Sequence, residues 1–259
     1  MGINYFDTAD LYEKGLNEIL VGKALLSKRT TSVIATKVGN QWRPDGSGWD
    51  WNPGKEYIFK CAEASLTRLQ RDCIDLYQLH GGTINDPIDD VIEAFEQLQK
   101  QGKIRYYGIS SIRPNVIREY VKRSNIASVM TQYSLADRRP EEYTLDLLQQ
   151  NNIGVLARGA LAQGLLVDKP AKEYLGHSET EIASAAQQLQ GIALPSRTAA
   201  QAAVQLVLHH PAITSAVVGI SRVQQLNEIA VTTDKEDLTQ KNMELLQNAL
   251  PPKMYDQHR

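Results

Sequence analysis

The feature that most constrains the fold is a regular alternation of short apolar segments and amphipathic stretches along the chain. Strand-like segments are predicted at residues 3–7, 32–37, 73–79, 104–110, 127–133, 153–158 and 213–218. Helix-like segments are predicted at residues 17–27, 55–69, 88–101, 114–122, 141–150, 179–190, 199–209 and 223–231, with an additional helix at 236–250. Strands and helices that alternate across short connections predict a parallel sheet covered by helices.

A closed barrel fits this alternation better than an open sheet does. An open doubly wound sheet would place a glycine-rich phosphate turn after its first strand, whereas Thr8, Ala9 and Asp10 follow the segment 3–7. The 259 residues suit one α/β barrel. We therefore predict an α/β fold, a (β/α)8 TIM barrel forming a single domain over residues 1–259. The alternation is one β/α unit short at its start, so we expect the first strand and helix to be missing from this chain.

Composition excludes several classes of partner. The 28 Lys and Arg residues are balanced by 30 Asp and Glu residues, so no basic surface for nucleic acid is expected. No apolar run approaches the roughly 18 residues of a membrane span. Cys61 and Cys73 lack the spacing of a metal or redox motif, as expected for reduced thiols in a cytoplasmic protein. We expect a monomer or a weak oligomer.

Polar residues that suit catalysis follow successive strand segments. Chemistry in a parallel barrel lies at the C-terminal ends of the strands and in the loops after them. These positions include Asp7, Tyr12, Lys37 and His80. Each residue alone has an ordinary structural explanation, such as a turn cap or a surface lysine. Their occurrence together at neighbouring strand ends favours a catalytic site.

The four residue types support one kind of proton transfer. A lysine ammonium beside a phenol favours the phenolate and lowers the phenol pKa from about 10. A carboxylate beside the lysine keeps it charged and oriented. The phenol then acts as a general acid near neutral pH, and a histidine orients a carbonyl group. Together they protonate an oxygen that becomes negative as a hydride reaches its carbon.

At these residues the chain resembles the aldo-keto reductases. GINYFDTADLYEKGLNEILVGKAL is similar to their signature around the catalytic Asp and Tyr, VIATKVG to the strand with the catalytic Lys, and IDLYQLH to the strand with the catalytic His. The resemblance implies that Tyr12 is the proton donor. It also implies that Lys37, paired with Asp7, tunes the phenol and that His80 orients the carbonyl. DLYQLHGGTI and QYSLADRRPEE are most similar to a bacterial subgroup of cytosolic oxidoreductases.

The same resemblance implies an NADPH site. GISS and MTQYS are similar to the segments that hold the nicotinamide carboxamide, which assigns Ser110, Ser111 and Gln132 to that role. In LARGALAQGLL, Arg158 stands where the family usually has an aromatic residue stacked on the nicotinamide.

GISRVQQLNEI is similar to the segment that holds the adenosine end. It assigns that end to Gly219, Ser221, Arg222, Gln225 and Glu228. Arg222 is the expected partner of a 2′-phosphate, because a guanidinium binds phosphate bidentately. The resemblance therefore implies NADPH rather than NADH.

Substrate-side residues are suggested by three tryptophans. Trp42, Trp49 and Trp51 lie in one predicted loop, residues 39–54, shortly after Lys37. They either pack this loop onto the barrel rim or form an apolar wall for a substrate. We predict small-molecule aldehydes or ketones with apolar or aromatic parts. Two glycines, Gly81 and Gly82, are expected to leave room beside the carbonyl.

The leading hypothesis is NADPH-dependent reduction of aldehydes and ketones to alcohols by hydride transfer. An NADP(H)-binding regulatory protein with vestigial chemistry is an alternative, by similarity to the family's potassium-channel β-subunits. An inactive fragment is a third. A metal-dependent hydrolase would need clustered His and Asp ligands, and the adjacent His209 and His210 lie at a predicted helix end. The intact Asp, Tyr, Lys and His set favours the reductase.

Overall fold

The computed structural model describes residues 2–193 and 197–259. The chain divides into two compact units. The N-terminal unit contains residues 4–129 and residue 258, and the C-terminal unit contains the remainder. Among the described residues, no helix is long and apolar enough to cross a membrane.

The N-terminal unit is built on four parallel strands joined by helices. The parallel strands are β1 (Tyr5–Asp7), β2 (Val33–Val38), β5 (Ile74–Leu79) and β6 (Ile104–Ser110). A separate antiparallel hairpin consists of β3 (Asn40–Trp42) and β4 (Trp49–Trp51). The helices are α1 (Leu16–Ala24), α2 (Lys55–Leu69), α3 (Ile88–Lys100) and α4 (Pro114–Arg123).

The C-terminal unit continues the alternation. Its strands are β8 (Gly154–Arg158) and β9 (Ile213–Val217), which pair in parallel, and the later residues of β7 (Ser128–Gln132). Its helices are α5 (Thr144–Gln150), α6 (Glu179–Ile192), α7 (Ala199–His209), α8 (Val223–Ala230) and α9 (Gln240–Ala249). Capping boxes at Ser178 and Thr198 fix the first turns of α6 and α7.

Burial explains why these segments form. β2 and β5 are buried on both faces along nearly their whole length, as expected for parallel strands covered by helices. Helix α3 buries one stripe at helical spacing, which contains Ile88, Val91, Ile92, Phe95 and Leu98. The hydrophobic pattern along each segment therefore sets both its type and the face that it turns toward the core.

Most element boundaries agree with the sequence patterns to within two residues. The larger differences are at α1, which ends at Ala24 rather than at residue 27, at α9, which begins at Gln240 rather than at residue 236, and at two further places. Helix α5 begins at Thr144 rather than at residue 141, because Arg139–Glu142 form a short 3-10 turn around Pro140. The prediction of one loop over residues 39–54 was wrong, since β3 and β4 form a hairpin there. Gly46, with φ 74°, supplies the left-handed backbone of its turn.

Candidate active site

Parallel pairing brings three of the predicted catalytic residues to one edge of the N-terminal unit. Asp7 ends β1 and pairs with Ala35 of β2. Lys37 lies two residues further along β2 and pairs with Gln78 of β5. His80 directly follows β5, and its backbone N–H donates to Val38 O at 2.7 Å. The carboxyl ends of these strands therefore present Asp7, Lys37 and His80 side by side.

Lys37 is a buried cation, with a relative exposure of 1%. Its Nζ donates to Asp7 Oδ2 at 2.5 Å and to Thr8 O at 2.7 Å. Burial raises the pKa of the Asp7 carboxyl, and the charge and hydrogen bond of Lys37 oppose that rise. A buried charge is tolerated only when it is paired and hydrogen-bonded. The ammonium is therefore held in one position by protein oxygens alone.

Tyr12 is the accessible member of the set. It begins the short 3-10 turn Tyr12–Gly15, and 38% of it is exposed. Lys37 Nζ lies 5.1 Å from the centre of its ring. The rings of Tyr12 and His80 meet edge to face, 5.9 Å between centres and 82° between planes. A solvent-accessible phenol thus stands beside a buried ammonium and an imidazole, an arrangement suited to proton donation to an external oxygen.

A buried carboxylate behind the strand edge was not predicted from the sequence. Glu18 of α1 is fully buried. Its Oε1 accepts from Thr36 Oγ1 and its Oε2 from Arg68 Nε, each at 2.6 Å. Thr36 precedes Lys37, so it faces the opposite side of β2. The contacts join α1, β2 and α2 directly behind Lys37. The spacing of Glu18 and Gly22, which share the buried face of α1, is the sequence signal that could have indicated it.

Asp10 lies close to this carboxylate. Burial, reinforced by the negative charge of Glu18, raises the pKa of the Asp10 carboxyl to about 7. Arg68 acts in the opposite direction. The N-terminal unit therefore carries a second titratable group near the loop that holds Tyr12.

The three tryptophans of the hairpin occupy different environments. Trp49 is 49% exposed. Trp42 and Trp51 are half-buried, and the indole N–H of each donates a hydrogen bond to the protein at 3.0 Å. Gly81 lies close to Trp51, since a Cβ there would lie 3.2 Å from the indole ring, and the expectation of room beside the carbonyl stays a prediction. Of the three, Trp49 is the most available to a substrate.

The serines at the end of β6 are buried. Ser110 and Ser111 have relative exposures of 8% and 5%. Ser111 Oγ accepts a hydrogen bond from the backbone N–H of Arg113 at 3.2 Å, just before α4 begins. Their assignment to the nicotinamide carboxamide stays a prediction.

Gln132 and Arg158 are brought together in the C-terminal unit. Arg158 donates to Gln132 Oε1 at 3.0 Å. Gln132 Nε2 donates to Asp137 Oδ2 at 2.9 Å and to the Tyr174 hydroxyl at 3.0 Å. Asp137 also accepts two hydrogen bonds from Arg139. The amide of Gln132 is therefore held in a fixed orientation by Arg158, which the sequence singled out, and by Asp137 and Tyr174, which it did not.

A cavity of about 690 Å³ lies in the C-terminal unit. Its lining includes all five residues predicted for the adenosine end, namely Gly219, Ser221, Arg222, Gln225 and Glu228. It also includes Lys169, which the sequence did not indicate. Ser221 Oγ donates to Gln225 Oε1 at 3.2 Å, and Glu228 Oε1 accepts from Thr198 Oγ1 at 2.5 Å. Two cations and the N-terminus of α8 form a donor set that suits phosphate groups.

His210, one of the two adjacent histidines, packs against other residues of the chain. The ring of His210 packs edge to face on Tyr133, with 5.9 Å between centres, and its Nδ1 accepts from the backbone N–H of Ala212. Within residues 2–193 and 197–259, no group of three or more His, Cys, Asp or Glu side chains is arranged to hold a metal ion.

Comparison with known proteins places this geometry in context. Residues 1–251 match the sequence profile of the Aldo/keto reductase family. The oxidoreductase YqkF of Bacillus subtilis is 47% identical over 268 aligned residues, covering 100% of this chain and 87% of its own length.

Solved structures agree with that match. The holo form of the aldo-keto reductase AKR11C1 from Bacillus halodurans is 47% identical with a TM-score of 0.92, over 100% of this chain and 86% of that one. An aldo-keto reductase from Klebsiella pneumoniae in complex with NADPH is 27% identical with a TM-score of 0.78, over 99% and 83%. The predicted fold class, a (β/α)8 barrel, is confirmed.

Proposed function

Because the chain belongs to the aldo/keto reductase family, we propose that it reduces aldehydes and ketones to alcohols with NADPH, with Tyr12 as the general acid. Members of this family are oxidoreductases that use a nicotinamide cofactor. One observation carries the proposal. The buried Lys37 ammonium, paired with Asp7 at 2.5 Å, lies 5.1 Å from the ring centre of the accessible Tyr12.

Tyr12 supplies the proton. Its hydroxyl donates to the oxygen of a bound carbonyl as that oxygen becomes negative. NADPH, when bound, supplies the hydride to the carbonyl carbon. Lys37 stabilises the phenolate that remains, since an ammonium favours the charged form of a neighbouring phenol. Asp7 and Thr8 O already hold that ammonium, so little reorganisation is required when charge develops.

His80 orients the carbonyl. Its ring meets the edge of the Tyr12 ring at 5.9 Å, and its backbone is fixed on both sides by hydrogen bonds to Val38 and Asn40. An imidazole N–H in this position donates to the carbonyl oxygen and directs it toward the phenol. Proximity and orientation of this kind contribute a large part of enzymatic rate enhancement.

The nicotinamide end of the cofactor is assigned to four residues, Ser110, Ser111, Gln132 and Arg158. The hydrogen bond between Arg158 and Gln132 supports this assignment. It leaves further guanidinium N–H groups of Arg158 to face a ligand. The adjacent Asp137 fixes the Gln132 amide, so the pair presents a defined pattern of donors and acceptors.

The adenosine end is assigned to the C-terminal cavity. Arg222 and Lys169 both line it and both are exposed. A guanidinium binds a 2′-phosphate bidentately, which supports NADPH over NADH. The neighbouring lining residues Gly219, Ser221, Gln225 and Glu228 complete the assignment.

On the substrate side we propose aldehydes and ketones with apolar or aromatic parts. The exposed indole of Trp49 supports this preference. Concave sites that bind small molecules are commonly lined by aromatic groups. The cytoplasmic location and the monomeric or weakly oligomeric state remain predictions.

The test of this function is NADPH oxidation with 4-nitrobenzaldehyde or methylglyoxal. Replacement of Tyr12 by Phe removes the acidic hydroxyl and is expected to lower kcat by about 10²–10⁴-fold. The dissociation constant for NADPH should stay unchanged. Tyr106→Phe is the matched control, because Tyr106 is an exposed tyrosine of β6 outside the proposed site.

Equal rates for the unmodified chain and Tyr12→Phe would contradict the assignment of the general acid. NADPH fluorescence titration separates the alternatives. Tight binding without turnover would favour a regulatory protein, and no binding would favour an inactive fragment.

A further inference from the structure

The β3–β4 hairpin contacts the chain segment that carries Tyr12. Trp42 Nε1 donates to Leu11 O at 3.0 Å, one residue before Tyr12. The ammonium of Lys14 lies 5.1 Å from the centre of the Trp42 ring. The hydrogen bonds within the Tyr12 turn itself are long, 3.2 Å from Tyr12 N to Ala9 O and 3.4 Å from Lys14 N to Leu11 O. The contacts from Trp42 therefore add to a turn whose own hydrogen bonds are weak.

Both strands of the hairpin, β3 through Asn40 and β4 through Trp51, contact the segment that carries His80. Asn40 Nδ2 donates to His80 O at 3.0 Å. Trp51 Nε1 donates to Asp86 Oδ1 at 3.0 Å. Asp86 also accepts from the N–H and the hydroxyl of Thr83, each at 2.7 Å. The loop after β5 is thus anchored to the hairpin at His80 and again at Asp86.

The indole of Trp51 is packed between two glycines. A Cβ at Gly39 would lie 2.6 Å from the ring of Trp51, and a Cβ at Gly81 would lie 3.2 Å from it. Both glycines have positive φ, 126° and 137°. Gly39 is two residues after Lys37, and Gly81 directly follows His80. The ring therefore contacts the chain immediately beyond two of the catalytic residues.

Side-chain contacts within the hairpin join its two strands. Trp42 and Trp49 are cross-strand partners, and such aromatic pairs stabilise antiparallel strands. Arg43 forms three hydrogen bonds to the carboxylate of Asp50 across the two strands. These contacts hold β3 and β4 together, so a displacement of one strand is expected to move the other.

We propose that the β3–β4 hairpin is a positioning brace that sets the placement of Tyr12 relative to His80. Trp42 holds the Tyr12 segment, and Asn40 and Trp51 hold the His80 segment. Trp42 and Trp51 are positioning residues that act through their indole N–H groups, and Trp49 alone of the three is left to contact substrate. The inference rests on the proposed function, since it assigns these residues a part in the same reaction.

The test uses two substitutions, Trp42→Phe and Trp51→Phe, with Tyr106→Phe as the control, because Tyr106 is an exposed residue of β6 outside the proposed site. Trp42→Phe and Trp51→Phe keep an aromatic ring and delete the N–H that anchors the hairpin. Each is expected to lower kcat about tenfold, the effect of one lost hydrogen bond on the placement of a reacting group. The dissociation constant for NADPH should not change. The pH profile of kcat should shift for these two variants and stay unchanged for Tyr106→Phe.

A second set of variants keeps the proposal testable if a tryptophan variant fails to fold. Asp86→Ala removes the acceptor of the Trp51 N–H and should reproduce the fall in kcat. The double variant Trp51→Phe with Asp86→Ala should lose no more than the larger single loss, since both remove one contact. If Trp42→Phe and Trp51→Phe match Tyr106→Phe in kcat and pH profile, the brace is overturned.

A readout independent of activity separates this inference from the proposed function. In NMR spectra the imidazole signals of His80 should move in Trp51→Phe and stay in place in Tyr106→Phe. Full activity of Tyr12→Phe would refute the proposed function and leave this structural result standing. Unmoved His80 signals in Trp51→Phe would refute the brace even with Tyr12 confirmed as the acid.

Discussion

The proposed catalytic edge of the N-terminal unit, formed by Asp7, Lys37 and His80, and the cavity of the C-terminal unit place their charged side chains in opposite environments. Lys37 is 1% exposed and already bonded to Asp7 and Thr8. Arg222 and Lys169 line an open cavity and are exposed. The buried ammonium beside the proposed acid thus has protein partners before any ligand binds. The groups proposed to bind phosphate face solvent and gain their partner only from a ligand.

This difference has an energetic consequence. Removing one partner of a buried ion pair costs about 3–5 kcal/mol, because the other charge is left uncompensated. Exposed charges contribute about 0–1 kcal/mol to folding. Substitutions at the catalytic edge should therefore affect stability and rate together. Substitutions at the cavity should affect affinity alone.

The largest effect is expected for Lys37→Met. We expect kcat to fall by about 10³-fold, since the phenolate of Tyr12 loses its stabilising charge. Stability should fall by about 3 kcal/mol in urea unfolding, because Asp7 must then bind a proton or stay unpaired. The double variant Lys37→Met with Asp7→Asn should recover stability and remain inactive. If Lys37→Met is as stable as the double variant, the ion pair between Lys37 and Asp7 does not contribute to stability as proposed.

The residues of the catalytic edge were predictable from local patterns. Asp7, Lys37 and His80 stand at the ends of apolar runs, and the ends of parallel strands meet at one edge. The alternation likewise predicted the strand and helix types. The family resemblance added the pairing of Lys37 with Asp7, which is observed at 2.5 Å.

What the sequence did not reveal depends on contacts between distant positions. Glu18 meets Arg68 across 50 residues, and Trp51 meets Asp86 across 35. The spacing of Glu18 and Gly22 marks a buried face of α1, but no periodicity identifies which distant residue a side chain meets. The hairpin was missed for a related reason, since its strands are only three residues long and carry no alternation that a pattern can detect.

Glu18→Ala should give the next largest effect, a loss of about 3 kcal/mol in the free energy of unfolding. The substitution leaves the guanidinium of Arg68 and the hydroxyl of Thr36 without their shared acceptor. Glu18→Gln keeps an acceptor oxygen and should lose less. Glu56→Ala, at an exposed site of α2, is the control. A loss at Glu18 no greater than at Glu56 would show that buried charge does not stabilise this unit.

Asp10 is expected to make the stability of the N-terminal unit depend on pH. Burial and the Glu18 charge raise the pKa of Asp10 from 3.8 to about 7 in the folded protein. The folded state therefore binds more protons than the unfolded state between these values, and stability falls as pH rises through this window. Asp10→Asn removes this titration. At pH 8 we expect the variant to be more stable than the unmodified chain, with the advantage shrinking toward pH 4. A pH-independent difference in urea unfolding would contradict the assignment.

The smallest effect is expected at the cavity, from Arg222→Ala. It should weaken NADPH binding about tenfold and leave NADH binding nearly unchanged, because only NADPH carries the 2′-phosphate that a guanidinium binds.

Lys169→Ala should weaken the binding of both cofactors by similar factors if Lys169 contacts the phosphates that they share. Fluorescence titration measures all four constants, and the urea midpoints of both variants should match the unmodified chain since both side chains are exposed. Equal losses for the two cofactors in Arg222→Ala would remove its phosphate role. A fall in the urea midpoint of either variant would mean that the cavity, like the catalytic edge, depends on its charges for folding.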